Sequence, residues 1–98
     1  MDLIQRALKI KPDSGYIVDS LGWVYYQKGM YDEALKHLEK AASQVPNDPT
    51  IVEHLGDVYL KKGMYKTSLE MYEKSLTLNH PQGEKIKKKM EEVKKLMK

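Results

Sequence analysis

An all-α fold, built from stacked copies of one helix–turn–helix unit, is predicted by three observations. First, the chain repeats itself: Gly15–Asp48 and Pro49–Gln82 agree without a gap at 13 of 34 positions. Second, apolar residues recur at helical spacing along the 98 residues, and no stretch alternates as a strand would. Third, Pro and Gly stand where each helical pattern stops. A fixed period of this size marks a repeat array, in which one unit alone does not bury its apolar face and neighbouring units complete the core.

The elements follow in order. Leu3, Ile4, Ala7, Leu8 and Ile10 recur at helical spacing and stop at Lys11-Pro12, because the residue before Pro is pushed out of the helical region. Asp13-Ser14 offers cap oxygens to a helix over 15–28, whose inward set is Ile17, Val18, Leu21, Val24 and Tyr25. Gly29 closes it by taking a left-handed conformation. The next helix, 31–44, has Asp32 and Glu33 in its first turn, where the helix dipole favours acids. Its apolar face is Ala34, Leu35, Leu38, Ala41 and Ala42. Pro46-Asn47-Asp48-Pro49 forms a turn in which Asp48 caps and Pro49 occupies the first helical position. The cycle returns as helices over 49–62 and 65–78, and Asn79-His80-Pro81 ends it. A last helix, 83–97, carries a stripe of Ile86, Met90, Val93 and Met97 among Lys and Glu.

Gly22 and Gly56 occupy equivalent mid-helix positions, where Gly costs about 1 kcal/mol against Ala. Their recurrence predicts close helix–helix approach, with Ala34, Ser68, Ala41 and Ser75 as the facing small residues.

The net charge of +3 is unevenly placed. Residues 83–98 hold seven Lys and three Glu, whereas residues 1–82 hold ten basic and eleven acidic residues. The absence of Cys excludes disulfides, thiol catalysis and Cys-based zinc sites. No stretch approaches the roughly 20 apolar residues of a membrane span, and Met1–Ile10 reads as amphipathic, unlike a signal peptide.

The repeated positions resemble the tetratricopeptide repeat, a 34-residue helix–turn–helix. In the first full unit the signature falls on Leu21, Gly22, Tyr25, Gly29, Tyr31, Ala34, Leu38, Ala41 and Pro46. In the second it falls on Leu55, Gly56, Tyr59, Gly63, Tyr65, Ser68, Tyr72 and Ser75, and the closing Pro slips to Pro81. Val18 and Val52 stand where a larger residue often begins the pattern. The resemblance implies a right-handed superhelical solenoid in a single domain: 1–14 as the second half of a truncated repeat, 15–48 and 49–82 as repeats, and 83–98 as a capping helix. It further implies a piece of a longer array, whose uncovered first helix could associate with a second copy. The phrasing around Ser20–Tyr26 and Glu53–Tyr59 is most similar to long bacterial members, many of them exported or envelope-attached. Cytoplasm, periplasm and cell envelope all remain open as compartments.

In this family the first helix of each unit lines a concave groove. Carried onto this chain, the groove holds Tyr16, Asp19, Ser20, Trp23, Tyr26 and Gln27, then Thr50, Glu53, Asp57, Leu60 and Lys61. Trp23 is the single Trp, and its counterpart is Asp57, so the repeat itself does not require it. An aromatic patch beside Asp19, Glu53 and Asp57 suits an extended peptide with basic or apolar side chains. Packing of Trp23 on a preceding helix is the structural alternative. Members that clamp a terminal carboxylate use Lys, Asn and Arg. The matching places here hold Asp19, Thr50, Trp23 and His54, so no such clamp is expected.

Other chemistries find little support in the sequence. His37, His54 and His80 have no second His at metal spacing, although His54 stands near Glu53 and Asp57. No phosphate-binding Gly loop or strained nucleophile turn occurs, so neither catalysis nor a cofactor is expected. The run Lys85, Lys87, Lys88, Lys89, Lys94 and Lys95 lacks interleaved aromatics, which disfavours nucleic acid, and a solvated end cap docked on the 65–78 helix is preferred over a membrane-lying helix. The expected function is a non-enzymatic protein-interaction module taking a peptide segment of a protein partner. The rivals are an architectural or self-associating segment and electrostatic contact through the Lys-rich last helix.

Overall fold

The computed structural model describes residues 15–97. Its helices are α1 (Gly15–Gln27), α2 (Tyr31–Gln44), α3 (Pro49–Lys61), α4 (Tyr65–Thr77) and α5 (Gly83–Leu96). The described residues contain no strand. All five starts match the sequence expectation, and the ends differ by at most one residue. The helix expected before Pro12, the caps at Asp13-Ser14 and the truncated first repeat lie outside the described residues. The chain forms two compact units, divided in sequence between Asn47 and Asp48.

In the first unit α1 packs on α2. Val18, Leu21 and Gly22 are buried from α1, and Ala34, Leu38 and Ala41 from α2. Gly29, at φ 78°, occupies the left-handed region that Gly enters without a Cβ penalty. This lets the Met30 N–H donate to the Tyr25 carbonyl at 2.9 Å and reverse the chain.

The second unit repeats the hairpin as α3 on α4 and adds α5 against α4. Asp48 caps α3 as predicted, its Oδ1 accepting from the N–H groups of Thr50 at 2.8 Å and Ile51 at 3.2 Å. Ser68 Oγ donates to the Gly56 carbonyl at 2.8 Å, and Ser75 Oγ to the Pro49 carbonyl at 2.7 Å. The small residues of α4 therefore also supply hydroxyl bonds between helices.

The close approach at the repeated glycines is present, but its main partner is a large side chain. A Cβ on Gly22 would stand 2.9 Å from Leu38 Cγ, and one on Gly56 would stand 2.6 Å from Tyr72 Cε1. Ala34 contributes its carbonyl oxygen, 3.3 Å from the Gly22 position. Ser75 instead faces the start of α3. The glycines make room for Leu38 and Tyr72 to cross the helix axis, which the spacing of small residues alone did not reveal.

Tyr72, Ile86 and Val93 are fully buried together, with Leu60, Leu69, Leu76 and Met90 packed around them. Burying Ile86 and Val93 holds α5 with about 3–6 kcal/mol in total. The expected stripe on α5 is thus realised at Ile86, Met90 and Val93. Met97, its fourth member, is 49% exposed.

Candidate protein-interaction site

On α1, residues 16, 19, 23, 26 and 27 share one face because 3.6 residues make a turn. Tyr16 is 61% exposed, Asp19 and Trp23 are half-buried, and Gln27 is exposed. The Trp23 and Tyr26 rings stack, with centroids 4.6 Å apart and an interplanar angle of 12°. Tyr26 also meets Tyr31 from the start of α2, at 5.7 Å and 59°. The aromatic surface therefore extends one residue beyond the expected set. In the sequence Tyr31 belongs to the turn signature, and the reversal of the chain at Gly29 brings it beside Tyr26.

The second unit differs. Glu53 and Asp57, expected to be open carboxylates in a groove, are 5% and 6% exposed. The cause is α5. Docking of Ile86, Met90 and Val93 sets its rotation, and Lys89, just before Met90, is carried past the Tyr72 ring (5.8 Å to the centroid) toward α3. Its ammonium donates to Glu53 Oε2 and to Asp57 Oδ1 and Oδ2, the latter two at 3.0 and 3.2 Å. Tyr72 Oη donates to Asp57 Oδ1. Thr50 and Lys61 are exposed, and Leu60 is partly buried against the Tyr72 cluster.

His80 completes the network. The Gln82 N–H donates to His80 Nδ1 at 2.9 Å, and His80 Nε2 lies 2.8 Å from Glu53 Oε1. An Nδ1 that accepts is unprotonated, so these contacts assign the neutral tautomer, with Nε2–H donating to Glu53. Burial pushes the Glu53 carboxyl up, but the hydrogen bond and charge of Lys89, aided by His80, outweigh burial and hold it below its ordinary value. Burial likewise depresses Lys89, and Glu53 with Asp57 outweighs burial and raises it.

Lys89 and His80 are the residues that sequence reasoning missed. One signal was present: Glu53 and Asp57 are like charges at i and i+4, which repel on a helix unless a cation lies between them. Of the expected Lys face, Lys85, Lys87, Lys88, Lys94 and Lys95 are exposed, and Lys89 turns inward. His37 Nδ1 lies 2.8 Å from the Glu33 carbonyl. Among the described residues no group of three or more His, Asp or Glu is placed to hold a metal ion. Among them, too, no helix is long and apolar enough to cross a membrane.

Paired helices repeated at 34 residues define a helical-repeat domain. A family model described as TPR repeat matches residues 22–63, and one described as tetratricopeptide repeat matches residues 51–80. Together they span more than half of the chain, which belongs to the tetratricopeptide-repeat family. That family is generally a non-catalytic protein-interaction fold.

Several solved structures share the fold. The TPR domain of Sgt2 from Aspergillus fumigatus matches with TM-score 0.87 and 24% identity, over 98% of this chain and 64% of that one. A thermophilic TPR protein of Thermus thermophilus matches with TM-score 0.82 and 23% identity, over 94% and 46%. PcrH, in complex with the chaperone-binding region of PopD, matches with TM-score 0.86 and 16% identity, over 99% and 77%. The chain thus spans less than two thirds of the Sgt2 domain and of the Thermus protein. No curated protein sequence matches it.

Proposed function

We propose that this non-catalytic module buries a peptide segment of a partner protein on the α1 face. Trp23, Tyr26 and Tyr16 are the anchors, and Asp19 and Gln27 are the polar contacts. The observation that carries this reading is the Trp23–Tyr26 stack, which presents a rigid aromatic surface on a helix at a position where the second repeat holds Asp57. Aromatic anchors fixed before binding lose little rotamer entropy and dominate interface energetics. PcrH, captured with a segment of another protein, supports the class of ligand. In this reading Glu53 and Asp57 serve to seat α5.

The test is an amide NMR titration with extended peptides, some basic and some apolar, read together with fluorescence of the single Trp. Shifts clustered on Tyr16, Asp19, Trp23 and Tyr26 are expected. Trp23→Ala should weaken binding by about 2 kcal/mol and leave helix content unchanged. Unchanged affinity in that variant removes Trp23 from the site, and shifts clustered elsewhere refute the α1 face.

A further inference from the structure

We propose a second docking surface, at the end of the second unit where α4 begins and α5 finishes, that takes an apolar segment flanked by Asp and Glu. A depression of about 600 Å³ lies there, lined by Gly63, Met64, Tyr65, Lys66, Thr67, Leu96 and Met97. Met64, Leu96 and Met97 are 43%, 57% and 49% exposed, and they are three of the five large apolar side chains left exposed among the described residues. Their concentration in one depression distinguishes them from scattered surface hydrophobes. Two of the three are Met, an unbranched and polarizable side chain that adapts to varied apolar partners.

Charge selects the occupant. Lys66 lines the depression, and Lys61, Lys62, Lys94 and Lys95 stand within two residues of its lining in sequence, whereas the nearest acids in sequence, Glu70 and Glu92, are three and four residues from it. The N-terminus of α4 and the C-terminus of α5 meet at this end, so their opposite dipoles offset and the lysines set the sign of the field. The repeat does not require this sign. At the equivalent turn of the first unit, Asp32 and Glu33 stand where Lys66 and Thr67 stand here. A second copy of the chain fits poorly, because a twofold contact through this patch brings Lys against Lys. An acid-flanked apolar segment satisfies both the apolar floor and the basic surroundings.

The test uses two synthetic peptides of equal length with the same apolar centre, one flanked by Glu and one by Lys, titrated into the full chain at low salt. The Glu-flanked peptide is expected to bind at least about tenfold more tightly and to weaken as salt rises. Lys66→Glu and Leu96→Ser, both at surface-accessible positions, should each weaken it about tenfold with unchanged circular dichroism. Trp23→Ala should leave it unaffected, which separates this surface from the α1 face. Equal affinity for the two peptides, no saturation by about 1 mM, or a concentration-dependent dimer abolished by Leu96→Ser overturns the proposal.

Discussion

Replacing Lys89 by Met removes one charge and keeps most of the aliphatic stem. In the native network the ammonium bonds Glu53 and Asp57, two carboxylates 5% and 6% exposed, while the Lys89 side chain is 25% exposed. Breaking a buried pair from one side costs about 3–5 kcal/mol, because the remaining charges stay desolvated without their counterion. Partial exposure of Lys89 lets water screen some of that loss, which favours the lower end, about 3 kcal/mol. With a urea dependence of about 1.5 kcal/mol per molar, the unfolding midpoint should fall by about 2 M. Urea titration followed by circular dichroism measures this. A Glu53→Gln change sharpens the test, since it removes a paired charge in the native protein but an uncompensated one in the Lys89→Met chain. It should destabilise the native chain and stabilise the Lys89→Met chain. A Lys89→Met effect below about 0.5 kcal/mol, or the same sign for Glu53→Gln in both backgrounds, would refute a buried ionic clamp.

Further outcomes follow from the same geometry. The folded Glu53 carboxyl lies below its ordinary value, so its contribution is complete above about pH 4–5 and is lost as pH falls through the folded value. Lys89 is raised, so its contribution is complete below about pH 10 and is lost as pH rises through its folded value. The stability gap between native and Lys89→Met chains should therefore be widest between these limits in a pH series of urea titrations. Gly56→Ala should destabilise by about 1–3 kcal/mol through overpacking, and by more than Gly22→Ala. The new methyl would stand 2.6 Å from a Tyr72 ring pinned by its hydroxyl bond to Asp57, whereas at Gly22 it would stand 2.9 Å from Leu38, an aliphatic side chain with no hydrogen bond to hold it, and paired thermal melts would show the order. Asp48→Ala should cost about 0.5–2 kcal/mol by leaving the Thr50 and Ile51 N–H groups uncapped, again read from a denaturation midpoint.

Helix boundaries were legible in the sequence because their causes are local. Asp48 and Pro49 start α3 through bonds two and three residues away, and Gly29 and Gly63 reverse the chain through their own φ angles. The 34-residue period set the class of fold, since similar units bury their apolar faces in the same way. The aromatic face of α1 was legible for the same reason, as Tyr16, Trp23 and Tyr26 share a face once the helix exists. Two kinds of contact were not legible. That Tyr72 lies over Gly56, and Leu38 over Gly22, depends on how two helices cross, whereas the sequence displayed only the small residues between them. The seat of Lys89 depends on still more: it is 36 residues from Glu53, and a rotation of α5 by one residue would turn its ammonium into water. That rotation is set by Ile86 and Val93 burying against Tyr72. The sequence by itself determined where each helix runs and which faces are apolar. Only the tertiary structure decided that Glu53 and Asp57 are closed by the chain's own lysine, because burial of apolar surface between helices, and not local propensity, sets which charges meet.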